Sequence, residues 1–294
     1  MLTRSSFTHL LAILFLIMGT IPTASPAQRP ASDPSNIGAL DPGFAAMHQL
    51  RPETPRPLDG RDFSGEFHDP AIYGYAEPFA LRGYLVEAAR PRPGAPAIVL
   101  IHEWWGLNKH IRDTADVLAA RGYTVLAVDL YHGAVATDGG HARQLMQRLD
   151  RQLSIARLKA AIFMLRSGNA QRPVGVMGWC LGGGYAVQLA MAERNLQACV
   201  VFYGQLPQEV AEVRRIQAPV LGIFAQHDRS ITPAMVETFA AAAERSNVRL
   251  SLHMFDADHA FANPSGPRFN AAAAQQAWEV TYAFLDAMLR PTNP

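Results

Sequence analysis

Two cysteines, Cys180 and Cys199, are all that the 294 residues contain. That excludes a disulfide scaffold, a four-cysteine zinc site and a cysteine-held iron–sulfur cluster. Charge of either sign is not in excess, with 26 Lys and Arg against 25 Asp and Glu, a net of +1. A basic nucleic-acid footprint is therefore not expected, and there is no acidic tail. Internal repeats are missing. Charged residues make up only 17% of the chain and apolar residues 49%, which suits a large core and rules out global disorder.

The N-terminus has the three regions of a secretory signal. Arg4 is followed by the apolar run Leu10–Met18, then by small residues with a cleavage site after Ala27. The run is too short to span a bilayer, which takes about 20 residues. Residues 1–27 are thus expected to be removed, leaving no stable membrane span and placing the protein in a bacterial periplasm or outside the cell. Residues 28–75 follow as a proline-rich, loosely packed arm, since eight of the 21 prolines fall between Pro22 and Pro57.

Residues 76–294 alternate strand and helix. Strands are predicted at Phe79–Val86, Ala97–Ile101, Thr124–Val128, Val174–Met177, Cys199–Phe202, Val220–Phe224 and Arg249–Met254. Helices are predicted at Ile111–Arg121, Ala142–Ser167, Gly183–Glu193, Pro233–Arg245 and Ala271–Leu289. Short, fully apolar strands alternating with helices imply an α/β fold with a mostly parallel sheet and helices on both faces.

The run Gly178-Trp179-Cys180-Leu181-Gly182-Gly183-Gly184 joins a strand to an alanine-rich helix. This is the setting of a nucleophile elbow, in which the residues two before and two after the nucleophile crowd each other and must be small. The helix N-terminus favours negative charge there. A buried structural cysteine and a phosphate-binding turn are the other readings. For the latter, the Gly-x-Gly-x-x-Gly and Gly-Lys-Ser/Thr patterns are both missing. Cys199 lies in an apolar strand and reads as an inert core thiol.

Asp228 and His259 follow later strands, in the chain order nucleophile, acid, histidine. Asp256 and Asp258 compete for the acid role but adjoin the histidine too closely in sequence. The chemistry would be acyl transfer: His259 takes the thiol proton or stabilises the thiolate as an ion pair, Asp228 holds the imidazole tautomer, and Cys180 attacks an ester or lactone carbonyl. The oxyanion would meet the backbone N–H groups of Leu181 and Trp104.

At these residues the sequence resembles the dienelactone hydrolase family of α/β-hydrolases, over roughly Phe79 to Leu289. The resemblance rests on Ile101-His102-Glu103-Trp104-Trp105-Gly106, Asp129-Leu130-Tyr131, the elbow, the Asp228 turn and His259-Ala260-Phe261-Ala262-Asn263-Pro264. It implies a Cys–His–Asp hydrolase of small esters or lactones with no metal or organic cofactor. It also implies that Glu103 lies beside Cys180 and controls its ionisation. Trp105, Tyr131, Trp179, Tyr203, Phe261 and Asn263 are candidates for the substrate pocket, with core packing the other reading for the aromatic residues. Family members bind a substrate carboxylate with arginines. At those places this chain has His132 and Gly133 after Tyr131, and Asn263 four residues after His259. Two other classes are open to such a chain. One is a catalytically silent binding protein on the same fold. The other is a thiol oxidoreductase, which no Cys-x-x-Cys supports.

Overall fold

The computed structural model describes residues 47–48, 60–88 and 94–290. The predicted signal, residues 1–27, lies outside them. Eight strands form one sheet: β1 (Arg61–Phe67), β2 (Phe79–Val86), β3 (Ala97–Ile101), β4 (Thr124–Val128), β5 (Val174–Trp179), β6 (Ala198–Phe202), β7 (Val220–Ala225) and β8 (Leu250–Phe255). Their order is β1-β2-β4-β3-β5-β6-β7-β8. All pairings from β4 to β8 are parallel, while β1 and β2 add an antiparallel margin.

The helices are α1 (Pro70–Tyr73), α2 (Lys109–Ala120), α3 (Gly139–Gln147), α4 (Arg151–Leu165), α5 (Leu181–Ala192), α6 (Val210–Val213), α7 (Pro233–Arg245) and α8 (Ala271–Leu289). The period-2 alternation of the strands splits the core in two. Val99, Ile101, Val176, Cys199 and Val201 face α4, α5 and α7. Ile98, Leu100, Met177, Val200 and Phe202 face α2 and α8. With both faces covered, the inner strands read as continuous apolar runs.

Two expectations are corrected. The helix predicted over Ala142–Ser167 is two helices. Asp150 interrupts it, accepting the Leu153 N–H at 2.8 Å as N-cap of α4. The leucine spacing hides this break because Leu145, Leu149 and Leu153 pack against the same core across it. The stretch 28–75 is not simply a loose arm, since β1 falls within it. β1 is a polar edge strand whose only buried residue is Gly65, so it carries little apolar pattern. Within the same stretch His48 is fully buried, its Nδ1 2.6 Å from the Tyr282 hydroxyl and its ring edge-on to Trp278 at 4.4 Å. Among the described residues no helix is long and apolar enough to cross a membrane.

Candidate active site

β5 ends against a turn that only particular residues can make. Cys180 adopts φ 49°, ψ −113°, a left-handed strain at a non-glycine residue. A Cβ on Gly178 would lie 2.3 Å from the Gly182 carbonyl oxygen, so the crowding inferred from the motif is real. A Cβ on Gly182 would in turn lie 2.3 Å from the Ile101 oxygen and 2.5 Å from the His102 oxygen. The first turn of α5 is thereby pressed onto the exit of β3. Leu181 opens α5, where N–H groups lack intrahelical partners.

The loops after β7 and β8 bring two further groups to this turn. His259 Nε2 lies 3.2 Å from Cys180 Sγ, and His259 Nδ1 lies 2.6 Å from Asp228 Oδ2. The other Asp228 oxygen accepts the N–H groups of Ser230 at 2.7 Å and Ile231 at 2.9 Å. Burial alone would raise the Asp228 pKa, but the bonds from His259 and these amides hold it below the usual carboxylate range. Burial also works against the His259 charge. Its bonds to Asp228 and Cys180 and their charges outweigh that and raise its pKa to about 10. Asp256 instead pairs with His227 at 2.6 Å on the surface. Cys199 is fully buried, which pushes its thiol up to about 12. Both thiols are free.

A profile of the dienelactone hydrolase family matches residues 81–289. The chain belongs to the dienelactone hydrolase family. A relative from Saccharolobus solfataricus, provisionally named a carboxymethylenebutenolidase, is 30% identical over 70% of this chain and 93% of its own. A protein named usf from Aquifex pyrophilus is 31% identical over 71% of this chain and 94% of its own. A crystal structure provisionally named a dienelactone hydrolase, from Klebsiella pneumoniae, superposes with a TM-score of 0.64 at 25% identity. It covers 76% of this chain and 98% of that one. The protein is thus a dienelactone hydrolase-like hydrolase on an α/β-hydrolase fold.

A cavity of about 630 Å³ opens over the thiol. Of the residues predicted to line it, Trp105, Tyr203 and Asn263 do so, together with Glu103, Trp104, Cys180, Leu181 and His259. Tyr131, Trp179 and Phe261 do not. Trp179 points to the α8 face and packs on Phe202 and Trp278 at 5.4 and 5.9 Å. Phe261 is fully buried against Tyr203 and Phe255. Tyr131 packs on the His102 ring at 4.8 Å. An aromatic residue adjoining a motif is thus core here in three cases. Sequence reasoning missed Arg151 and Arg268, both exposed at the cavity wall. Neither stands where the family's arginines would, and only the three-dimensional path of α4 and the β8–α8 loop reveals them. Among the described residues no cluster of three or more His, Cys, Asp or Glu side chains is placed to hold a metal.

Glu103 lies on the cavity floor, 3% exposed. The Asn263 side-chain amide donates to it, and the Tyr203 hydroxyl faces it without meeting hydrogen-bond geometry. Burial raises its pKa to about 7, against the smaller lowering effects of Asn263, the His259 charge and Tyr203. A carboxyl whose folded pKa is raised burdens the fold only where the unfolded chain has ionised. The burden is absent below about pH 4.5, grows as pH rises to about 7 and is constant above. Glu103→Gln should therefore match the wild type in stability near pH 4 and exceed it above pH 8, by roughly 3 kcal/mol. Paired urea titrations at the two pH values check this; an equal gain at both would place the effect elsewhere.

Proposed function

We propose that the protein hydrolyses small esters or lactones through a covalent thioester on Cys180. The Sγ–Nε2 separation of 3.2 Å, continued by the 2.6 Å contact to Asp228, carries this reading. His259 Nε2 takes the thiol proton, or already holds it and keeps the thiolate as an ion pair, and Sγ attacks the carbonyl carbon. The negative charge that develops on the carbonyl oxygen meets the N–H groups of Leu181 and Trp104. Collapse expels the alcohol, which takes the proton back from His259. Water, deprotonated by the same nitrogen, then releases the acid. Asp228, fixed by two amides, orients the ring and stabilises its charged form. A silent binding protein is the less favoured reading, because binding alone gives no reason to hold a strained thiol against a carboxylate-oriented imidazole.

Two measurements test the chemistry. Cys180→Ala should lose hydrolysis of p-nitrophenyl acetate while keeping its fold. Iodoacetamide should label Cys180 far faster than Cys199, whose thiol is both buried and raised to about 12. An active alanine variant would refute the thioester.

The cavity wall adds a substrate preference. Among the described residues Glu103 is the only acid lining it, and Arg151 and Arg268 are its arginines. An acyl or alcohol group carrying a carboxylate fits that wall better than a neutral one. Replacing both arginines by glutamine should raise KM at least tenfold for a hemisuccinate ester and leave a neutral ester of the same length within about twofold. Equal effects on both esters would remove the charge preference.

Export belongs to the same proposal. Expressed in a bacterium, the protein should be recovered from the periplasm or medium with Gln28 as its N-terminus, read by mass spectrometry. Recovery of the intact leader in the cytosol would refute it.

A further inference from the structure

His102 sits between the exits of β3 and β4, fully buried, and no role has been assigned to it above. Its two ring nitrogens have defined partners. Nε2 lies 3.1 Å from the Leu130 N–H, which can only donate, so Nε2 accepts. Nδ1 lies 2.5 Å from the Glu103 carbonyl oxygen, which can only accept, so Nδ1 carries the proton. The ring is therefore neutral, in one tautomer, with both nitrogens used.

The carbonyl it grips belongs to the peptide between Glu103 and Trp104. No described peptide bond is cis. In a planar trans peptide the C=O and N–H point in opposite directions. Fixing the Glu103 oxygen therefore aims the Trp104 N–H the other way. The Gly106 N–H also reaches this oxygen, at 3.2 Å, closing the turn. On the far side, the absent Cβ of Gly182 lets the first turn of α5 rest against the His102 carbonyl, setting the Leu181 end of the elbow beside this peptide.

We propose that His102 is a positioning residue for the oxyanion hole: its Nδ1–H holds the Glu103–Trp104 peptide in the orientation that presents the Trp104 N–H to the developing oxyanion. The proposal rests on the acyl-transfer reading. It gives the ring two separable duties, a donor toward Glu103 and an acceptor toward Leu130. Only the donor governs the hole. A merely structural staple would use both alike.

Two substitutions divide the duties. The His102→Asn side-chain amide stands where Nδ1 does and keeps the donor. The His102→Gln amide reaches further, to the Nε2 position, and keeps the acceptor. With p-nitrophenyl acetate, His102→Gln should lose ~10²–10³-fold in kcat, the cost of one oxyanion donor, with KM within about threefold. His102→Asn should retain at least a tenth of the wild-type kcat. Iodoacetamide alkylation of Cys180 forms no tetrahedral oxyanion, so its rate should stay within about threefold in both variants. The oxoester-to-thionoester rate ratio, which reports donation to the carbonyl oxygen, should fall in His102→Gln and persist in His102→Asn. Equal kcat in the two variants, or a loss of alkylation parallel to the loss of kcat, would overturn the assignment. An active Cys180→Ala would instead overturn the acyl-transfer reading beneath it, and is measured without touching His102.

Discussion

The site depends on a contact that a single methyl group would forbid. Gly182 rests against the carbonyls of Ile101 and His102 at a distance no Cβ can occupy. Because of that contact the strained turn at Cys180 and the turn after β3 form one surface. Remove it, and the thiol and the facing peptide would separate by the thickness of a side chain. The strain at Cys180 is held from three directions: by the Gly178–Gly182 approach, by the bond from its N–H to the Phe202 oxygen at 2.9 Å, and by the start of α5. Backbone strain of about 1–3 kcal/mol persists only where its surroundings over-determine it, and here they do.

The electrostatics of the site are built by unequal means. The His259 pKa is raised because bonded partners outweigh burial. Glu103 holds its proton up to near neutral pH because burial outweighs its partners. Asn263 is central to the second case. An arginine at that place would bring a full positive charge to the carboxyl and keep it ionised, whereas an amide brings one hydrogen bond. The residue that departs from the family's pattern is therefore also the one that leaves Glu103 with a pKa raised to about 7. The positive charge at the cavity wall comes instead from Arg151 and Arg268.

Much of this was legible in the sequence, for physical reasons that differ by residue. The inner strands announced themselves because they are covered on both faces. Cys180 did so because an elbow needs glycine on both sides, and Asp228 and His259 because each follows a strand at the sheet's active edge. β1 stayed hidden since an edge strand half in water has little apolar signal. The break at Asp150 stayed hidden since a helix pattern is a record of which side chains meet the core, and both halves meet the same one. The pocket was the least legible. Trp179, Tyr131 and Phe261 look like a binding surface in one dimension, yet the pleat of the sheet and the turn of each loop send them into packing.

The order of the sheet also sets the order in which this chemistry comes into being during synthesis. Cys180 and His259 stand 79 residues apart, on strands that pair only through β6 and β7. At ~5–20 residues per second, the ribosome makes the imidazole seconds after the thiol, and parallel pairing must still bring them together through non-local contacts. Until β8 docks as the last strand of the sheet, the elbow is a thiol without a base. On the proposed mechanism, a nascent or truncated chain lacks the general base for its thiol, and hydrolysis awaits the completed fold.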